Sequence, residues 1–339
     1  MRISRVIKSL VALTMLIGVA ASANAQSDPL YYLYQPGTEY SNTLATGPAA
    51  TVFNGTIYIA YMGNGTNTLY IATSSDGVSF TPGTAYPSIQ IQSYTGVAIA
   101  TWNSKLWIAY TAPGGYVNLI SSSDGVNFSS PTQVYYSTGY PLLANSQPTI
   151  VVFNNLLFIS AEVNGSGTTT YMETVSTGNG LSFTTATWCG SAGPAGEEPQ
   201  TGAAIGMAVF NNLLYFAFQA QGNWSHELLS CSTPAVSGGG YTWNVYNSSN
   251  PSGLIEAGSG ISAMAYDNAL YFAFKELSGN NNLIMAKTSD GSAVTWNMYS
   301  GITTNGRNQI TPSAFLFGTM YYLAYTQNSS SHYLFVTEN

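Results

Sequence analysis

The chain has 339 residues, of which 6% are charged and 13% aromatic, with seven Lys or Arg against 14 Asp or Glu. So few basic groups cannot neutralise a run of phosphates, which excludes nucleic acid and anionic membrane surfaces as natural partners. After the first 25 residues no segment has the 18 or so unbroken apolar residues of a bilayer-spanning helix; solubility rests on Asn, Ser, Thr and Gly rather than on charge.

At the N-terminus, Arg2, Arg5 and Lys8 precede the apolar run Leu10 to Ala20, and Ala23, Asn24 and Ala25 supply an A-x-A cleavage pattern. This is the layout of a secretory signal peptide. Residues 1–25 are therefore expected to be removed before Gln26 and the protein to be secreted, to the periplasm or outside the cell. Four basic residues would then remain, Lys105, Lys275, Lys287 and Arg307, against the 14 acidic ones, a net charge near −10.

Residues 26–339 carry an internal repeat, read as a single domain. The pattern aromatic-Asn-x-x-apolar-aromatic-apolar-small-aromatic begins at Phe53 (FNGTIYIAY), Trp102 (WNSKLWIAY), Phe153 (FNNLLFISA), Phe210 (FNNLLYFAF), Tyr266 (YDNALYFAF) and Phe317 (FGTMYYLAY), at spacings of 49, 51, 57, 56 and 51 residues. Each copy reads as a β-hairpin: an apolar strand, a turn such as Asn54-Gly55, and a second strand with a small residue at its centre. A third strand such as Leu69 to Thr73 follows, then a tight turn at Asp76-Gly77, Asp124-Gly125 or Asp290-Gly291. Fourth strands are predicted to start near Phe80, Phe128, Phe183, Trp243 and Trp296. Four strands in about 50 residues is the size of a propeller blade, so the fold class expected is an all-β, six-bladed β-propeller of antiparallel blades. The last copy has a third strand, Tyr333 to Thr337, but no fourth. Leu30 to Tyr34 has the character of a fourth strand and is expected to close the ring.

The turns SSDGVSF (Ser74 to Phe80), SSDGVNF (Ser122 to Phe128) and TSDG (Thr288 to Gly291) resemble the Asp-box of sialidase-like propellers, Ser-x-Asp-x-Gly-x-x-aromatic, with one residue fewer between Asp and Gly. That resemblance implies a structural role for Asp76, Asp124 and Asp290, each carboxylate pinning its own turn. It also implies what is missing: sialidases hold their substrate's carboxylate with three arginines, and beyond residue 25 this chain has Arg307 alone. One arginine cannot build that clamp and lysine does not reproduce its bidentate geometry, so sialidase catalysis is not expected.

The remaining chemistry is biased toward one rim. Loops from second to third strands and from each fourth strand to the next repeat share a face. They carry Glu162, Glu197, Glu198, Glu256, Glu276, Arg307, His226 and His332, with Lys275 nearby and Tyr94, Tyr116 and Trp224 as aromatics. Rings pack on sugar C–H faces while carboxylates and amides accept hydroxyl hydrogen bonds. A glycan or polysaccharide is thus the expected partner, held without catalysis by Tyr94, Tyr116, Glu162, Glu198, Trp224, Glu256, Glu276 and Arg307. A diverged glycoside hydrolase is the alternative, its carboxylate pair drawn from Glu162, Glu198 and Glu256; a cell-surface interaction scaffold is another. No cofactor fingerprint and no metal-ligand spacing occurs. An oxidising compartment would favour bridging Cys189 to Cys231. Against that, the repeat register sets them near opposite rims, beyond the about 7 Å that a disulfide tolerates.

Overall fold

A computed structural model describes residues 31–34, 46–63, 65–137, 139–164, 170–185, 198–221, 228–233, 242–245, 257, 259–277, 282–291, 295–303, 311–326 and 334–338. The chain is an all-β propeller of antiparallel sheets.

β1 (Tyr31–Tyr34) joins a sheet far away in sequence. β2 (Ala49–Phe53), β3 (Thr56–Met62), β4 (Thr68–Ser74) and β5 (Thr84–Gln90) form the first repeat's sheet; β6 (Val97–Trp102), β7 (Lys105–Thr111), β8 (Val117–Ser122) and β9 (Thr132–Gln133) form the second. A two-stranded hairpin follows, β10 (Tyr135–Ser137) with β11 (Tyr140–Pro141). The third repeat gives β12 (Thr149–Phe153), β13 (Leu156–Asn164), β14 (Thr170–Thr177) and β15 (Thr184–Thr185). In the fourth, β16 (Glu198–Pro199) and β17 (Gly206–Phe210) pair in succession with β18 (Leu213–Gln221), followed by β19 (Leu228–Thr233) and β20 (Thr242–Val245). β21 (Ser262–Tyr266), β22 (Ala269–Lys275), β23 (Asn282–Thr288) and β24 (Thr295–Thr303) make the fifth. The last repeat supplies β25 (Ser313–Phe317), β26 (Met320–Thr326) and β27 (Leu334–Glu338), and β1 pairs antiparallel with β27, Tyr31 opposite Glu338 and Tyr32 opposite Thr337.

The hairpin joining the first two strands of a repeat follows from its turn residues. Asn154 and Asn155, Asn211 and Asn212, and Asp267 and Asn268 all have positive φ, as a two-residue turn matched to strand twist requires and as Asn and Asp tolerate best. Fourth strands start later than the sequence suggested in the first two repeats, at Thr84 and Thr132. The aromatic there does not open a strand: Phe80 is instead buried in the core.

The innermost strands pack side by side, β2 on β6, β6 on β12, β12 on β17, β17 on β21, β21 on β25, and β25 on β2. They surround an axial cavity of about 110 Å³. Small residues make that convergence possible, since a Cβ on Gly47 would lie 2.0 Å from the carbonyl oxygen of Thr311 and one on Gly260 2.5 Å from the nitrogen of Ala204.

The core is divided among the junctions between sheets. One apolar cluster joins Ile71 and Ile89 to Ile99 and Ile108; another joins Leu119 to Ile159, and a third joins Ile57 and Phe80 to Phe315 and Val336. Each of four junctions is pinned by an aromatic of the second strand on a turn of the next sheet. A Cβ on Gly125 would meet the Tyr58 hydroxyl at 2.1 Å, on Gly180 the Trp107 ring at 2.2 Å, on Gly291 the Tyr215 hydroxyl at 2.4 Å, and on Gly77 the Tyr322 hydroxyl at 2.8 Å.

The turns offering those glycines are built by side chains. Asp76 Oδ1 accepts the amides of Val78 and Ser79 at 2.8 and 2.7 Å and the Ser74 hydroxyl at 2.9 Å. Asp124 repeats the arrangement with Val126, Asn127 and Ser122, and Asn179 does so with Leu181 and Ser182. Asp290 accepts the Thr288 hydroxyl at 3.1 Å. These donors, the backbone amide of Ser79 foremost, hold the Asp76 carboxyl at about 2, and Asp124 is likewise held far below the usual carboxylate range.

The expectation on the cysteines is corrected. Cys231, in β19, is buried and disulfide-bonded, and Cys189 is the chain's one other cysteine. The expected register carries the third repeat's fourth strand, described over Thr184–Thr185, through Cys189, which lies outside the described residues.

Two glycines separate backbone strain from crowding at these turns. Gly55 (φ +74°) has nothing within 4 Å of the place an added methyl would take, whereas Gly125 (φ +77°) faces Tyr58. Gly55→Ala should cost ~1 kcal/mol for the left-handed backbone alone. Gly125→Ala should cost ~1–3 kcal/mol more, read as the difference between the two urea midpoints; equal losses would show that the tyrosine contact contributes nothing.

Candidate functional site

A cleft of about 340 Å³ opens between the second and third sheets, on the rim carrying the loops from second to third strands. That volume lies in the range of small-ligand sites. Gly114 and Gly115 form one edge, both with positive φ, and Gly115 O accepts the amide of Ala144 at 2.8 Å. The loop continues to Asn145, whose amide donates to Glu162 O at 3.3 Å and so fastens it to β13.

The β10–β11 hairpin forms the second wall. Gly139 turns it with φ +79°, and Pro141 is tolerated because the hairpin stands outside the main ladder. It is anchored through Val134, which donates to Val117 O at 2.9 Å and accepts from the Leu142 amide at 2.8 Å. Tyr136 and Tyr140 thereby face each other with centroids 6.0 Å apart and planes 40° from parallel. The opposite wall comes from the third sheet, where Val163 pairs with Tyr171 and Ala161 with Glu173. Tyr171 and Glu173 are two apart on β14 and so share a face. Burial raises the Glu173 carboxyl. It also raises the Tyr171 phenol, helped by the negative charge of Glu173 and by Tyr136.

The residues singled out from sequence fall in several places. Tyr116 borders this cleft: it pairs with Leu143 across an isolated bridge and is 42% exposed. Tyr94, 54% exposed with φ +67°, stands on the loop between the first two sheets. Glu276 is engaged by its own turn, its Oε2 accepting from Asn282 Nδ2 at 2.7 Å. Glu198 Oε2 accepts the Thr170 amide at 2.8 Å, and the Thr170 hydroxyl donates to Pro199 O.

Glu162 is fully buried on β13. Its Oε2 accepts the Gly202 amide at 3.3 Å, while Oε1 has no hydrogen-bond partner among the described residues. Loss of solvation pushes its carboxyl up to about 7, against a partial opposing effect from Gly202. Glu162 and Thr170 of the third sheet thus both meet one strap, residues 198–202, which itself carries Glu198. Trp224, Glu256 and Arg307, with Glu197, His226 and His332, lie outside the described residues.

Sequence reasoning missed Tyr136, Tyr140, Tyr171, Asn145 and Glu173. A signal existed for Glu173, because a carboxylate interrupts an otherwise uncharged third strand, TYMETVST. Among the described residues no three His, Cys, Asp or Glu side chains gather as metal ligands, and no helix is long and apolar enough to cross a membrane.

Glu162 makes stability depend on pH. The folded state holds this proton more tightly, at about 7 against an ordinary 4.5. Its contribution is complete below about pH 4.5 and declines as pH rises to about 7, by ~3 kcal/mol in all. Glu162→Gln should flatten that part of the profile of denaturant midpoint against pH; an unchanged slope would mean that the carboxyl ionises freely.

No family model matches the sequence and no curated protein matches it. Solved structures do. The Aleuria aurantia lectin, described as a six-bladed β-propeller with a novel fucose recognition mode, is 14% identical over 86% of this chain and 91% of its own, with a TM-score of 0.61. An α-L-arabinofuranosidase from Fusarium graminearum is 10% identical over 91% and 97%, with a TM-score of 0.62. Trypanosoma rangeli sialidase is 12% identical over 92% of this chain and 58% of its own, with a TM-score of 0.59. At these identities the likeness is one of fold: the chain shares the β-propeller of sialidase-type enzymes and of fucose-binding lectins.

Proposed function

We propose that the chain is a secreted, lectin-like β-propeller of six blades, spanning residues 26–339 as one domain, that binds a glycan without catalysing its cleavage. The observation that carries this reading is the open cleft walled by Tyr136, Tyr140 and Tyr171 with Asn145 and Glu173 at its side. Aromatic walls with few polar groups are what sugar C–H faces and hydroxyls require. The fold it shares with a fucose-recognising lectin adds weight, and the leader-like residues 1–25 support secretion. Tyr94, Tyr116, Trp224, Glu256 and Arg307 are assigned to ligand contact on the same rim.

Closure of the ring is part of this proposal, supported by the pairing of β1 with β27 and by the core shared between β3 and β25–β27. Deleting residues 26–34 would leave β27 as an unpaired edge. The deletion is expected to lower the melting temperature by several degrees, and an unchanged melting curve would refute closure.

Hydrolysis is the second reading, favoured by one observation: a carboxyl held near neutrality at Glu162, as a general acid needs. Against it stands the full burial of that side chain. The deciding experiment is a glycan-array screen of residues 26–339 with Tyr140→Ala, Trp224→Ala and Glu256→Ala, beside a panel of chromogenic glycosides. Binding reduced at least tenfold in Tyr140→Ala, with no glycoside turned over, is the expected outcome. Turnover abolished by Glu162→Gln would favour the hydrolase instead.

A further inference from the structure

Glu173 brings a negative charge to a wall of tyrosines. Its backbone carbonyl accepts the Ser160 hydroxyl at 3.1 Å, but its carboxylate receives no hydrogen bond or ion pair among the described residues. Among the described residues no lysine or arginine lines the cleft, and the whole chain has a formal net charge of −7. A carboxylate partly withdrawn from water and left unpaired costs solvation energy that an incoming cation would return.

The rings around it suit the same occupant. Tyr136 and Tyr140, 6.0 Å apart at a tilt of 40°, can flank a small group from two sides, and Tyr171 stands beside Glu173 on β14. Aromatic faces attract ammonium groups through the ring quadrupole, most strongly where water is partly excluded. A neutral sugar would use the rings but leave the carboxylate's charge unanswered. Asn145, which also lines the cleft, offers an amide to a hydroxyl.

We propose that this cleft selects an amino sugar with a free, protonated amine, the ammonium pairing with Glu173 against Tyr136 and Tyr171 while the ring stacks on Tyr140. The inference rests on the glycan-binding reading and narrows its ligand class. N-acetylation removes the charge and adds bulk where the amine meets the carboxylate, so it should weaken binding.

The test is calorimetric titration of residues 26–339, near pH 6.5, with the glucosamine trimer and with its fully N-acetylated counterpart. The free amine form is expected to bind at least tenfold more tightly. Glu173→Gln should erase that preference, and Tyr140→Ala should weaken both ligands about fivefold or more. Tyr140 is 61% exposed and the Glu173 carboxylate holds nothing in place, so both variants should keep the parent's melting temperature. Equal affinity for the two trimers, or a preference that survives Glu173→Gln, would overturn the proposal. Binding of neutral glycans on the array without binding of the glucosamine trimer would overturn it and leave the lectin reading standing. Failure of every glycan on the array, the amino sugars included, would overturn both.

Discussion

The contact on which the structure depends is the seating of a second-strand aromatic against a glycine in the next sheet's turn. Tyr58, Trp107, Tyr215 and Tyr322 each occupy the space that a Cβ on Gly125, Gly180, Gly291 or Gly77 would fill. The glycine is needed twice over, for its positive φ and for the room it leaves. Before three of these glycines Asp76, Asp124 or Asn179 fixes the turn by accepting amides two and three residues on, which holds the glycine in place for the neighbour's ring. A propeller has no central core, so its cohesion comes from such junctions, and this chain repeats one solution at four of them.

That repetition made the fold legible. A pattern recurring every 49 to 57 residues with Asn-rich turns at a fixed offset states both the hairpin and its copies, because turn chemistry and strand alternation are local properties. The pairing of β1 with β27 was legible for a different reason: a repeat short of one strand invites a complementary strand from elsewhere in the chain. The starts of the fourth strands were not, since Phe80 packs inward from a loop rather than opening β5. The bridge at Cys231 escaped because a register extrapolated across a whole repeat does not fix the distance between two side chains, which is what a disulfide depends on.

The candidate site was legible only in its location. The expected rim does carry the cleft, and Tyr116 borders it, but the residues lining it came from elements the repeat did not announce. Tyr136 and Tyr140 belong to a hairpin in the stretch between the second and third repeats. Glu173 and Tyr171 lie within a strand, where alternation alone decides which face they occupy, and the neighbour across the junction decides what they meet. Three of the glutamates that charge scarcity brought forward are instead engaged in holding loops: Glu276 with Asn282, Glu198 with Thr170, and Glu162 beneath Gly202. Scarcity of charge marks a residue as costly to keep, and in these three the cost is met by local structure.

Equivalent positions in the six repeats show how one junction differs from the rest. The second-strand residue nine places after each repeat's first aromatic is Met62, Thr111, Glu162, Gln219, Lys275 and Thr326 in successive repeats, and every one is buried. The scaffold therefore accepts apolar, neutral polar and ionisable groups at the same place, provided that the entering loop meets them, as Ser146 O meets the Thr111 hydroxyl at 3.1 Å and Thr46 O the Thr326 hydroxyl at 3.3 Å. Cohesion rests on the aromatic–glycine contacts at the opposite rim, so the loop rim is released from it. Insertions such as β10–β11 can then reshape one cleft while its neighbours stay as they are. A repeated fold can acquire a single distinctive cleft in this way, by separating the surface that holds its sheets together from the surface that its loops are free to vary.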